Sequence, residues 1–226
     1  MSVSVQINPN KRLYIKDPQQ TKLGRMIIGK SISMMLELGF EGFTFKKLAL
    51  EIGASEMSIY RYFENKHKLL LYLLSWYWEW SKYCVLTNTR NIADPIEKLD
   101  LAIQTLIFPD KTEPLVPYIN KLELFRLVIE ESWKAYHTKD VDAENKEGFF
   151  LTMKALNKEI ALLIAEVNPD FAYPHALANT ILEMSKNLIY DAYHLPSLGD
   201  VSDQNQVNEE VYSYLKTLTF KVLAVK

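Results

Sequence analysis

A chain of 226 residues can bury a core in one large domain or two small ones without cross-links. Its 48% hydrophobic and 24% charged residues, with a formal net charge of −2, are ordinary for a globular protein and exclude collagen-like, disordered and disulfide-scaffold classes. Cys84, the one cysteine, excludes an intramolecular disulfide and a multi-cysteine zinc site within one chain. The charge is uneven along the chain. Residues 1–86 hold 12 Lys+Arg against 7 Asp+Glu, while residues 87–226 hold 14 against 21, the asymmetry expected when only the N-terminal part meets a polyanion.

Residues 1–20 read as a basic arm, broken by Pro9 and Pro18 and carrying Lys11, Arg12 and Lys16. From there helical periodicity dominates. Thr21 can cap a first helix with Leu23, Ile27, Met34, Met35 and Leu38 near one face, stopped by Gly39. Thr44 can cap a short helix with Phe45, Leu48, Ala49 and Ile52 inward, ended by Gly53, and Ser55 can cap the next, with Ile59 and Phe63 one turn apart. A longer helix starts near Asn65 or Lys66 and runs to about Thr87. Asp94-Pro95 opens another, to about Phe108. After a loop at Pro109, Pro114 and Pro117, helices are expected over Ile119–His137, Ala143–Val167, Pro174–Leu195 and Gln206–Val225. The fold class is all-α, about nine helices, in three parts: the arm at 1–20, a three-helix helix-turn-helix domain at 21–65 and a larger C-terminal helical bundle at 66–226.

Function is concentrated between Thr44 and Leu70. Two short helices around a Gly-containing turn have the spacing of a helix-turn-helix, and Ala49 is small enough for a steep crossing. Leu48, Ala49 and Ile52 face Ile59 and Phe63, which leaves Glu56, Met57, Ser58, Arg61 and Tyr62 outward, with Tyr60 at the border. Such side chains can donate to phosphate, reach base edges or touch a thymine methyl. The Ser55-capped helix start adds anion affinity, and Lys66 stands over the backbone as a point charge.

These residues resemble the TetR-type one-component transcriptional regulators. Members show an apolar helix ending in G-[FY], here Gly39-Phe40, and then T-x-x-x-[IL]-A-x-x-x-G, here Thr44 through Leu48-Ala49 to Gly53. The pattern continues as Ala54-Ser55-Glu56-Met57-Ser58-Ile59-Tyr60-Arg61-Tyr62-Phe63 and Lys66-His67-Lys68-Leu69-Leu70, so the resemblance covers about residues 21–71. It implies a homodimer whose paired second helices enter successive major grooves of a palindromic double-stranded DNA operator. It also implies a C-terminal domain that binds a small-molecule effector and forms the dimer. Thr44, Tyr60 and Lys66 then contact phosphate, while Ser55, Glu56, Met57, Ser58, Arg61 and Tyr62 complete the DNA-binding set. Glu56 departs from the pattern, since a carboxylate repels phosphate unless it accepts from a cytosine amino group.

The rest of the chain is less specific. Trp76, Trp78 and Trp80 read as core or as an aromatic effector box, and Cys84 as a small buried apolar residue or a redox-sensing thiol. The effector pocket is expected among Trp80, Tyr83, Phe125, Trp133, Tyr136, His137, Met153, Asn187 and Tyr190, which favours an apolar, aromatic or lipid-like ligand. Dimer contacts are expected from Phe171, Leu177, Ile181, Met184, Leu188, Leu215 and Leu218 on two of the last three helices. Glu123, Glu130 and Glu131 with Lys121, Arg126 and Lys134 read as a solvated salt-bridged face. A single E-x-x-H (Glu64, His67) reads as a surface pair, and no G-x-G-x-x-G, Walker loop or G-x-S-x-G is present. No catalytic residue, metal site or cofactor is expected. The apolar run Leu69–Trp78 is about half of the ~20 residues a bilayer span needs, and no export signal is seen, so the expected setting is cytoplasmic and off the membrane. The expected function is a ligand-released repressor, the alternative a TetR-fold carrier of lipids or other hydrophobic ligands without DNA binding.

Overall fold

The computed structural model describes residues 7, 9–109, 116–201 and 203–224. Among these there are eleven α-helices and no strand. In chain order they are α1 (Lys22–Gly42), α2 (Phe45–Glu51), α3 (Glu56–Tyr60), α4 (Lys66–Thr89), α5 (Pro95–Ile107) and α6 (Lys121–Glu131). They continue as α7 (Trp133–Tyr136), α8 (Val141–Lys146), α9 (Leu151–Val167), α10 (Pro174–His194) and α11 (Val207–Val222). Residues 1–6 and 8 of the expected arm, Pro114 of the expected loop and Val225 lie outside the described residues.

The expected caps form. Thr21 Oγ1 accepts from the Gly24 amide (2.9 Å), Thr44 from Lys47 (3.2 Å), Ser55 from Ser58 (3.2 Å) and Asp94 Oδ1 from Ile96 (3.2 Å). Two expected long helices are each divided. Ile119–His137 becomes α6 and α7, because the chain tightens at Ser132 into an i→i+3 bond from the Ala135 amide. Ala143–Val167 becomes α8 and α9, because Gly148 turns the chain at φ 81°.

The chain forms two compact units, Met1–Glu79 with Glu113–Thr152, and Trp80–Thr112 with Met153–Lys226. The division departs from the expected boundary at residue 65. α6, α7 and α8 join α1 to α3 instead of the other C-terminal helices, because α6 packs along α1. In the first unit Ile27, Ile28, Ile32 and Met35 of α1 are buried, while Leu38, expected inward, is exposed. Residues 69–78 of α4 are buried on every side of the helix, which settles Trp76 and Trp78 as packed residues. Trp78 donates to the Tyr136 hydroxyl (2.6 Å), within a cluster that includes Tyr77, Phe125 and Phe150.

The expected arm is described only in part. Among its described residues, Ile7, Pro9, Leu13 and Pro18 are buried, because their apolar groups pack on the first unit. In the second unit, Tyr212 donates to Asp100 (2.8 Å) and Lys216 pairs with the other oxygen of Asp100 (2.8 Å), tying α11 to α5. Leu177, Ile181 and Leu215, expected at a dimer contact, fill the core of that unit. The large apolar side chains exposed on α10 and α11 are Tyr193, Tyr214 and Val222.

Candidate nucleic-acid interface

α2 and α3 are short, and their packing decides what they present. Leu48 and Ala49 are buried with Ile59 and Phe63, and Ile52 is half-buried. Between them Gly53 takes φ 64°, a conformation glycine adopts without Cβ strain, and the Ala54 amide donates back to the Ala49 carbonyl (2.9 Å). The α2–α3 pair is also fixed from outside. Lys30 of α1 pairs with Glu51 of α2 at 2.9 Å, and this hydrogen bond raises the lysine's pKa above its ordinary value. Phe45 meets the Tyr60 ring edge-on at 5.1 Å.

With Ile59 facing inward, the rest of α3 stands outward. Glu56, Met57, Tyr60 and Arg61 are exposed, Met57 by 67%. Ser55 and Ser58 share a hydroxyl–hydroxyl hydrogen bond of 2.8 Å at the helix start. Beside them α2 exposes Lys46, Lys47 and Leu50, and Thr44, Lys46, Lys47, Ala49, Leu50, Ala54 and Glu56 line a shallow concavity. The exposed charges of α2 and α3 on this side are thus the cations Lys46, Lys47 and Arg61, with Lys47 donating to the Gly42 carbonyl (2.8 Å), and the Glu56 carboxylate.

Two expected contact residues sit elsewhere. Tyr62 is buried, 4% exposed, and its hydroxyl shares a 2.7 Å hydrogen bond with Thr21, so it does not lie on the outward face. One turn of helix periodicity cannot show this, because the chain leaves α3 at Arg61. Lys66 does not stand free over the surface. Its ammonium donates to the carbonyls of Phe40 (2.8 Å), Glu41 (3.2 Å) and Phe43 (3.3 Å) and covers the Phe40 ring at 4.5 Å. It thereby caps the C-terminal end of α1, where helix carbonyls and the negative dipole end attract a cation.

A residue that sequence reasoning placed on a solvated face holds the same corner. α1 breaks at Gly39 (φ 68°, ψ 159°), which frees the Phe40 amide. Buried Glu131 of α6 accepts that amide at 2.9 Å, and its other oxygen lies 2.6 Å from Lys134 Nζ. The acceptor is 91 residues away in sequence, so no local pattern announces it. Glu130, by contrast, does pair with Arg126 (3.1 Å) as a surface pair. His67 bonds Glu144 of α8 (2.7 Å) and not Glu64, its E-x-x-H neighbour, and among the described residues no cluster could hold a metal ion.

The nine residues nominated for an effector pocket are not gathered in one unit. Phe125, Trp133, Tyr136 and His137 belong to the first, and Trp80, Tyr83, Met153, Asn187 and Tyr190 to the second. Trp133, His137 and Asn187 are exposed. Tyr136 and Phe125 are spent on the aromatic cluster with Trp78 and Tyr77. The second unit has a cavity of about 210 Å³ lined by Leu188, Asp191, Pro196, Leu198, Glu210 and Tyr214 among others, and by none of the nine. Cys84 is buried. Among the described residues no helix is long and apolar enough to cross a membrane.

Residues 27–73 match the family model of bacterial regulatory proteins of the tetR family. Among solved structures the chain is similar to AibR in complex with isovaleryl coenzyme A and operator DNA, at 16% identity and a TM-score of 0.58, over 86% of this chain and 97% of that one. It is similar to apo AibR at 16% identity and a TM-score of 0.52, over 84% and 96% of the two chains. It also resembles the superantigen PfiT, at 12% identity and a TM-score of 0.59, over 89% and 97%. At these identities the likeness is one of fold. No curated protein matches the sequence. The match to bacterial regulatory proteins of the tetR family thus rests on residues 27–73 and on the α2–α3 geometry they build.

Proposed function

We propose that the protein is a DNA-binding repressor that holds a palindromic operator as a homodimer and releases it when a small molecule binds. One observation carries this reading. α3 buries Ile59 and turns Glu56, Met57, Tyr60 and Arg61 to solvent, within the stretch that matches the family. Arg61 is the residue best suited to a guanine edge or a phosphate. Thr44, Ser55 and Ser58 reach the same surface, although their hydroxyls also serve as caps.

In a symmetric pair the two α3 helices would stand about one DNA turn apart, ~34–36 Å. The outward side of α10 and α11, with Tyr193, Tyr214 and Val222, is our candidate for the dimer contact. α4 is the proposed transmitter, because Lys66 at its start caps α1 beside α2 and α3 and its second half belongs to the other unit. An effector releases DNA only through a difference in its affinity for the two states. The solved complex of AibR with an acyl-coenzyme A and operator DNA supports pairing a DNA partner with an apolar or amphipathic effector. PfiT, described as a superantigen, shows that this architecture alone does not fix function.

A mobility-shift assay against the DNA upstream of the protein's own coding region decides the matter. Retardation that Arg61→Ala weakens by roughly tenfold or more supports the repressor. Absence of retardation at low salt, with co-purified lipid, overturns it in favour of the hydrophobic-ligand carrier.

A further inference from the structure

We infer that the cavity where α10 gives way to α11 is a binding site for a small organic cation, an amine with a compact apolar body. The site lies wholly within the second unit and does not depend on the DNA-binding reading.

The space follows from the residues placed at that junction. α10 ends at His194, and the Leu195 amide closes its last turn on the Asp191 carbonyl (2.7 Å). A 3₁₀ turn at Pro196–Leu198 comes next, and a turn in which Asp203 accepts from the Asn205 amide (2.8 Å) leads into α11. Ala192 and Gly199 line the gap and are too small to fill it, while Leu198 at its edge is 70% exposed. Leu188, Pro196, Val201 and Val211 complete an apolar wall around about 210 Å³. A cavity of ~150 Å³ takes benzene and drug-sized sites start near ~300 Å³, so the occupant is about one ring or a short chain.

The polar part of the wall has one sign. Asp191, Asp200 and Glu210 line the cavity beside the Tyr214 ring, and among the described residues no Lys, Arg or His lines it. Between Lys186 and Lys216 the sequence has no Lys or Arg, but it has Asp191, Asp200, Asp203, Glu209 and Glu210. The two bounding lysines are committed elsewhere, Lys186 beside Glu183 (3.0 Å) and Lys216 on Asp100 (2.8 Å).

Glu210 stands in the first turn of α11, where the helix dipole favours a carboxylate. Asp191 has the opposite placement. It is half-buried in the last turn of α10, where the unpaired carbonyls add their own negative potential. Among the described residues neither Asp191 nor Asp200 has an ion-pair or hydrogen-bond partner for its carboxylate. An ammonium in the cavity gives both a counter-ion and meets the Tyr214 ring, whose face attracts cations. An uncharged ligand of the same shape gains only the apolar wall, and an anion is repelled.

The test is isothermal titration calorimetry of the full chain, without DNA, with 2-phenylethylamine, its neutral counterpart 2-phenylethanol and the anion 3-phenylpropionate. The amine is expected to bind with a Kd on the order of millimolar or below, as suits a ligand of roughly ten heavy atoms. The alcohol should bind roughly tenfold more weakly and the carboxylate not detectably, because only the ammonium makes charge-assisted contacts. Asp191→Asn/Asp200→Asn should erase the preference for amine over alcohol. Glu166→Gln/Asp170→Asn, a charge-matched control at two exposed positions of the same unit, should keep it. Equal affinity of wild type for amine and alcohol, or uptake of none of the three, overturns the inference. So does an amine preference that survives in the Asp191/Asp200 variant.

Discussion

Replacing Lys66 by methionine should destabilise the fold whether or not DNA is present. The ammonium makes charge-assisted hydrogen bonds of 2.8, 3.2 and 3.3 Å to the carbonyls of Phe40, Glu41 and Phe43, which end α1 without helical partners of their own. Hydrogen bonds to a charged group contribute about 1.5–3 kcal/mol net. One of the three is short and the side chain is 31% exposed, which places the expected loss near the middle of that range, about 2 kcal/mol. The Glu41 carboxylate at 3.9 Å is 81% exposed and adds little. Methionine keeps the apolar stem over the Phe40 ring, so the substitution isolates the ammonium. In a chain of this size about 2 kcal/mol lowers Tm by ~4–8 °C, read by circular dichroism melting and urea titration without DNA. A Lys66→Met protein that melts with wild type but loses DNA affinity and salt dependence would refute the capping role and restore the phosphate contact.

Glu131→Ala leaves the Phe40 amide buried without its acceptor, and about 1–3 kcal/mol of stability should be lost. Glu131→Gln, which keeps an acceptor oxygen, should recover much of it, and equal melting of the two variants would show that the bond does not matter. Lys186 of α10 is buried beside Glu183 (3.0 Å), and burial lowers its pKa. The unfolded chain then holds this proton more tightly than the folded one, so the lysine's contribution to stability rises as pH climbs from the folded pKa towards the unfolded value of 10.5. Lys186→Met should therefore be more stable than wild type at neutral pH, with an advantage that shrinks towards pH 10.5 in urea titrations. An advantage that is constant with pH would contradict this.

Much of the architecture is legible locally. Thr21, Thr44, Ser55 and Asp94 cap the helices they precede, because a cap needs one side-chain oxygen and an amide two or three residues on. The outward set Glu56, Met57, Tyr60 and Arg61 follows from the spacing of Ile59 and Phe63, and the residue order from Gly39 to Leu70 lies within the stretch that matches the tetR-family model. Local pattern fails where a partner is distant. Tyr62 looks like a groove residue until Thr21 and the Ile15 amide take both ends of it. Lys66 looks like a phosphate ligand until the end of α1 arrives beneath it, and Glu131 looks solvated until the Gly39 kink hands it an amide 91 residues away. The segment before α1 reads as a basic arm, because alternating charges and prolines do not reveal that Ile7 and Leu13 have a core to enter. The sequence by itself therefore determined most of the helices, several of their caps and which side of α3 faces outward, all set by neighbours within about one turn. Tertiary structure alone decided which polar and charged side chains remain available on that surface, because each is claimed or released by groups that only the packed chain brings near.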